Sequence, residues 1–242
     1  MLRFMLNALA AFALLLAVTA PAAASECVVL LHGLIRSSSS MERMAESLVE
    51  EGYLTANIEY PSRDYTIEEL APMAVGDGLE ACRAEQDVET IHFVTHSLGG
   101  ILVRQYLSEH DIPELGRVVM LGPPNQGSAA VDQLGDVPGF DWLNGPAGKQ
   151  LGQGENSVPL KLGPATFELG IIAGNRTIDP LTSAVLEDPD DGRVSVVDTM
   201  LDGMADFVVV EHSHAFMMRM TRPIELTIRF LKHGNFGSQP ED

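Results

Sequence analysis

Residues 91–100 read IHFVTHSLGG, a short apolar run rich in β-branched residues that stops at Thr95-His96-Ser97 and passes into a glycine pair. The run 91–95 has the character of a strand buried on both faces, as in a parallel sheet. The residues that follow, ILVRQYLSEH, place Ile101, Leu102, Gln105 and Tyr106 at helical spacing. Ser97 therefore stands at a sharp strand-to-helix turn, where a hydroxyl is pushed clear of the backbone above a helix N-terminus. Gly99 and Gly100 let the helix start approach the strand closely. The alternative for a serine at this place is an ordinary helix cap.

Outward from this turn, apolar strands alternate with amphipathic helices. Cys27-Val28-Val29-Leu30-Leu31 is a continuous apolar strand ending at His32-Gly33. Residues 41–50 form a helix capped by the serines at 37–40, and residues 54–60 a second strand. A helix over 66–83 opens with Thr66 and Glu69 spaced as a capping box. Further strands are expected over 116–121, 167–173 and 207–211, with a last helix over 224–233. This order predicts an α/β fold: a doubly wound, mostly parallel sheet of about six strands with helices on both faces. Ligands in such sheets bind at the carboxyl ends of the strands, where every candidate catalytic residue falls.

The first residues read as a signal peptide, 1–24: Arg3, an apolar stretch from Ala8 to Val18, and small residues at 22–24 before a mature start near Ser25. The stretch is shorter than the roughly 20 residues that span a bilayer. The folded domain is expected over 25–236, with a flexible tail at 237–242 inside the solvated end GNFGSQPED. The product is expected in the periplasm or outside the cell, with no stable membrane insertion after cleavage. The net charge of −19 disfavours nucleic acid and anionic membranes as partners. In an exported chain the two cysteines, Cys27 and Cys82, are expected to form a disulfide, the alternative being two buried thiols.

Between residues 122 and 164 the periodicity dissolves into a Gly-, Pro- and Asn-rich stretch, read as a long loop. Trp142 and Phe140 lie in it. They either pin the loop through a small apolar cluster or line an apolar substrate groove.

Serine needs a base, and the base a partner that fixes its tautomer. EDPDDGRVSV carries Asp190 and Asp191, and Asp191, directly before Gly192, is preferred as the acid. VVVEHSHAFMM carries His212 and His214, and His214, before a helical pattern, is preferred as the base. The backbone amides of Leu98 and Leu34 are the expected oxyanion donors. His32 is read as stabilising its turn. No cofactor is implied, and the acidic cluster matches no metal loop.

Taken together, LLHGL at 30–34, VTHSLGG at 94–100, GPPNQGS at 122–128, DDGRV at 190–194 and HSHAFMM at 212–218 resemble the α/β-hydrolase superfamily, in particular its small exported bacterial lipase- and esterase-like members. The resemblance implies Ser97 as nucleophile, Asp191 as acid and His214 as base, with oxyanion amides from Leu34 and Leu98. It implies a carboxylic-ester hydrolase acting on small-molecule or lipid esters through an acyl-enzyme. An acyltransferase or thioesterase on envelope lipids or glycans uses the same residues, and a binding protein on a hydrolase fold is the non-catalytic alternative. Thr95 replaces the usual first glycine of the elbow. The chain also starts at what corresponds to the family's third strand, so the first antiparallel hairpin is expected to be missing.

Overall fold

The computed structural model describes residues 25–135 and 137–238. The signal peptide expected over 1–24 lies outside the described residues, as do residues 239–242 of the expected tail. Six strands, β1 (Ser25–Leu31), β2 (Leu54–Ile58), β3 (Val88–His96), β4 (Leu115–Leu121), β5 (Leu169–Gly174) and β6 (Asp206–Val210), form one sheet in the order β2-β1-β3-β4-β5-β6. Every pairing is parallel, so the sheet is fully rather than mostly parallel among the described residues.

Alternation along the strands sorts the core into two layers. Cys27, Val29 and Leu31 of β1, with Ile91 and Phe93 of β3, face helices α2 (Ile67–Ala84) and α3 (Leu98–Glu109). Val28, Leu30 and Val94 face α1 (Glu42–Glu50) and the C-terminal helix, which spans Thr221–His233. Parallel crossovers keep one hand, so a chain that steps from β1 out to β2 and then back past β1 to β3 must change face between α1 and α2. That reversal opens a crevice between the carboxyl ends of β1 and β3, the switch point at which doubly wound sheets bind ligands. His32 follows β1 there and Ser97 follows β3.

The capping box of α2 forms as expected. The Glu69 amide donates to Thr66 Oγ1, and Glu69 Oε2 accepts from the Thr66 amide. The serine cap of α1 does not form. Ser38–Ser40 instead wind a 3-10 turn, and the residue before α1 is Met41, with no side-chain cap. The run of four serines satisfies its own backbone: Ser40 Oγ donates to Ser37 O at 2.7 Å.

The expected loop 122–164 is also partly ordered. It contains α4 (Ala129–Leu134), α5 (Phe140–Lys149) and a short 3-10 turn at Pro159–Lys161. Glycine and proline masked α5, because both sit at its kink: Gly145 adopts φ 65° and Pro146 restarts the helix. Trp142 is 82% exposed, so it does not pin this segment. The segment is held instead by Arg104 of α3, whose buried guanidinium donates to the backbone carbonyls of Asn125, Pro159 and Gly163. Two further one-turn helices, α6 (Pro180–Ser183) and α7 (Val196–Thr199), precede β6, so the C-terminal helix is α8. The solvated end begins later than GNFGSQPED implied: Phe236 is buried and packs on Phe230 of α8.

Cys27 and Cys82 form a disulfide that ties β1 to the last turn of α2, with 5.8 Å between their Cα atoms. No described helix is long and apolar enough to cross a membrane.

Candidate active site

Ser97 occupies a tight strand-to-helix turn. It lies between the end of β3 and the first residue of α3 with φ 52° and ψ −119°, a conformation that L-residues avoid. Holding a non-glycine residue there costs on the order of 1–3 kcal/mol. The turn is secured by the Ser97 amide, which donates to Leu121 O of β4 at 2.9 Å. The first turn of α3 packs hard on β1: a Cβ at Gly99 would lie 2.7 Å from Leu31 O. Thr95, in the place of the usual glycine, is fully buried with its hydroxyl unpartnered, so the elbow accommodates a threonine.

The two late loops meet beside this turn. Asp191 sits after β5, and its carboxylate is fully buried. Oδ1 accepts from the Arg193 and Val194 amides at 2.9 and 2.8 Å, and Oδ2 accepts from His214 Nδ1 at 2.7 Å. A carboxylate only accepts, so His214 carries a proton on Nδ1. The His214 amide donates back to Asp191 O at 3.0 Å, which locks the loops together. Gly122, following β4, lies against both: its missing Cβ would be 3.0 Å from His214 Nδ1 and 3.1 Å from Asp191 Oδ2. Among the described residues no direct hydrogen bond joins the Ser97 hydroxyl to the His214 ring.

The runner-up residues are placed elsewhere. Asp190 accepts from Ser183 Oγ and the Gly192 amide, so it orders its own turn. His212 is half-buried, and its carbonyl accepts from the Arg176 amide.

The loop after β1 reaches Ser97 from the other side. A Cβ on Gly33 would lie 3.1 Å from Ser97 Cβ and 2.7 Å from His96 Nδ1, so only glycine leaves this approach open. His32 is wholly buried. It stacks on Tyr60 with ring centroids 4.0 Å apart, donates from Nδ1 to Gly33 O, and accepts at Nε2 from the Tyr60 amide. The Tyr60 hydroxyl donates to His32 O, and burial pushes its phenol well up. Burial likewise holds the His32 imidazole below its ordinary value. Among the described residues the Leu34 amide has no acceptor. Leu98 opens α3, so its amide is one of those a helix leaves without an internal partner.

Two residues here escaped the sequence reading. His96 is fully buried, donates from Nε2 to His214 O at 2.9 Å, and lies 4.7 Å ring to ring from His214. Burial first, then the neighbouring His214 and Arg36, hold it well below 6.5, so it stays neutral. Its place directly before Ser97 was the only available signal. Arg36, three residues after Gly33, folds back through its amide to Gly33 O at 3.2 Å.

No family model matches the chain, and no curated protein does. Solved structures do. A mature lipase from Bacillus licheniformis aligns with a TM-score of 0.66 at 22% identity, over 86% of this chain and 94% of that one. A phospholipase from Legionella pneumophila aligns with a TM-score of 0.66 at 19% identity, over 88% of this chain and 57% of that one. An esterase from Pyrococcus furiosus aligns with a TM-score of 0.63 at 17% identity, over 87% and 82%. The fully parallel six-stranded sheet, the helices on both of its faces and these likenesses give the chain an α/β-hydrolase fold of the kind found in bacterial lipases and esterases.

Proposed function

We propose that the protein is a serine hydrolase of carboxylic esters. The observation that carries this reading is the buried Asp191–His214 pair at 2.7 Å, held beside a serine whose backbone is strained into an elbow. Strain at a residue with no structural need for it belongs to sites where geometry serves chemistry.

In this reading His214 Nε2 takes the Ser97 proton as Oγ bonds to the ester carbonyl carbon. The carbonyl oxygen becomes an oxyanion, held by the Leu34 and Leu98 amides. Collapse breaks the bond to the leaving oxygen, which takes the proton from Nε2, and the acyl group stays on Ser97. Water then repeats the cycle and releases the acid. Asp191 keeps the proton on Nδ1 and stabilises the imidazolium. Serine–histidine bonds are commonly long before substrate binds and tighten in the complex. Trp142 and Phe140 are assigned to the wall of the substrate groove. Both belong to α5, and the same helix packs Gly148 against Leu34. The Phe140 side chain lies outside the described residues.

A signal peptide at 1–24 and an exported destination complete the proposal, supported by the disulfide, which needs an oxidising compartment. The test is labelling with a fluorophosphonate probe, followed by turnover of p-nitrophenyl esters of rising chain length. The native protein is expected to label and Ser97→Ala to stay blank. Equal labelling of both, or none of the native protein, defeats the reading.

A further inference from the structure

A guanidinium with no carboxylate partner among the described residues lies beside the His214 loop. The turn 33–36 folds the Arg36 backbone over Gly33, which itself abuts Ser97. Arg36 Nη2 then reaches across to Ala215 O at 3.4 Å, the residue after His214. The side chain thus bridges the loop after β1 and the loop after β6, and its charge is felt by buried His96.

Arg36 also lines a cleft of about 290 Å³ that runs from this turn along residues 59–64 and includes Ser62, Arg63 and Asp64. Its floor is tied by the Ile35 amide to Ser62 Oγ at 3.2 Å. Of the cleft's carboxylates, Glu59 is engaged by the Ser38 amide and hydroxyl. Those bonds favour the charged form of Glu59, so Glu59 and Asp64 both oppose an incoming anion.

This chain carries 34 acidic and 15 basic residues, so partners for a cation are plentiful. Arg83, Arg117, Arg176 and Arg193 each take one. Arg43, Arg104 and Arg219 donate to backbone carbonyls instead, whereas Arg36 and Arg63, which pair with no carboxylate among the described residues, line the same cleft. A guanidinium left without a carboxylate in an acidic protein is free to bind one from outside, and its planar fork suits carboxylate and phosphate oxygens.

We infer that this cleft is a subsite for an anionic group, carboxylate or phosphate, carried by the ester a few bonds from its scissile carbonyl. The inference rests on the proposed hydrolase reading and narrows its substrate class. Net charge −19 repels such a substrate at long range, and within the cleft Arg36 and Arg63 offset Glu59 and Asp64 and offer the hydrogen-bond donors an anion needs.

The experiment compares kcat/KM for matched pairs differing only in charge. One pair carries the anion on the acyl side, a p-nitrophenyl hemisuccinate against p-nitrophenyl butyrate. The other carries it on the alcohol side, a monoacylglycerol phosphate against the monoacylglycerol. At low salt the charged member of one pair is expected to be preferred, and the favoured pair names the source of the anion. Arg36→Gln should lower that charged-to-neutral ratio about fivefold, the upper end for an exposed ion pair. Arg36→Lys should lower it less, and 0.5 M salt should shrink it in the native protein. Neither pair favouring the anion, or ratios that Arg36→Gln leaves unchanged, overturns the subsite. Failure to hydrolyse any ester overturns the hydrolase reading instead. In that case titration of Ser97→Ala with inorganic phosphate decides the cleft: millimolar binding lost in Ser97→Ala/Arg36→Gln supports it, and no binding ends it.

Discussion

Replacing Asp191 by asparagine isolates what the buried carboxylate does for His214. Asp191 Oδ1 accepts from two backbone amides, at 2.9 and 2.8 Å, and Oδ2 faces His214 Nδ1 at 2.7 Å. An asparagine must keep its oxygen on the two amides, because turning its NH2 toward them would set donors against donors. The NH2 then faces His214 Nδ1, which must accept. The ring proton moves to Nε2, the nitrogen that should take the Ser97 proton, and general-base catalysis stops. An inverted tautomer of this kind lowers kcat about 10⁴-fold, equivalent to roughly 5.4 kcal/mol. Volume is unchanged and both backbone bonds survive, so the variant should fold. Asp190→Asn is the matched control, since Asp190 bonds only Ser183 Oγ and the Gly192 amide. Steady-state p-nitrophenyl ester turnover, with active sites counted by fluorophosphonate labelling, reads the effect. The reasoning is refuted if folded Asp191→Asn keeps kcat within tenfold of the parent, or if Asp190→Asn loses as much.

Three further outcomes are expected. Gly33→Ala puts a methyl 2.7 Å from His96 Nδ1 and 3.1 Å from Ser97 Cβ, so the loop must retreat. Misplacement of about 1 Å costs on the order of 10²-fold in kcat, and a normal rate in the alanine variant contradicts this account. Burial lowers the pKa of His32, His92 and His96 below 6.5, so the unfolded chain takes up protons first as pH falls. Stability should be full above pH 6.5 and decline below it, each histidine contributing at most about 1.4 kcal/mol per pH unit. Urea midpoints at pH 7.5, 6.5 and 5.5 check this, and a flat or rising series is the contrary result. The Cys27–Cys82 bridge spans 55 residues of sequence, and removing it should destabilise the fold by about 2–4 kcal/mol. A melting temperature indifferent to Cys27→Ala/Cys82→Ala contradicts that.

Why some of this was legible beforehand and some was not is clear from particular elements. Strand β1 carries a continuous apolar run over 27–31 and β3 a largely apolar, β-branched one over 91–95, because both faces of a parallel sheet are covered. The α2 capping box is a contact between residues three apart, so it is written in the local sequence. Helix α5 was not, since Gly145 and Pro146 at its kink oppose helical propensity and tertiary packing, including on residues 61–65, holds it. A Cβ at Gly145 would meet Arg63 O, and the Ala147 amide bonds Tyr65 O at 3.1 Å. The four serines before α1 carried a true turn signal but offered several competing backbone acceptors, and the local winner was a 3-10 turn.

Sequence by itself determined the alternation of strands and helices, the serine at the strand-to-helix turn between Thr95 and the glycine pair, and the pool of acids and histidines from which partners could come. The sequence preferred Asp191 over Asp190 and His214 over His212, but that these two side chains meet at 2.7 Å is visible only in the tertiary structure. Neighbouring residues in a loop point in different directions, and only the folded sheet says which of them meets a side chain 23 residues away. The engagement of His96 with the His214 carbonyl, and the reach of Arg36 to the Ala215 carbonyl, depend in the same way on β1, β3 and β6 ending at one edge. Chain distance carries no information about such contacts, since the parallel crossovers that create them bring together segments more than a hundred residues apart.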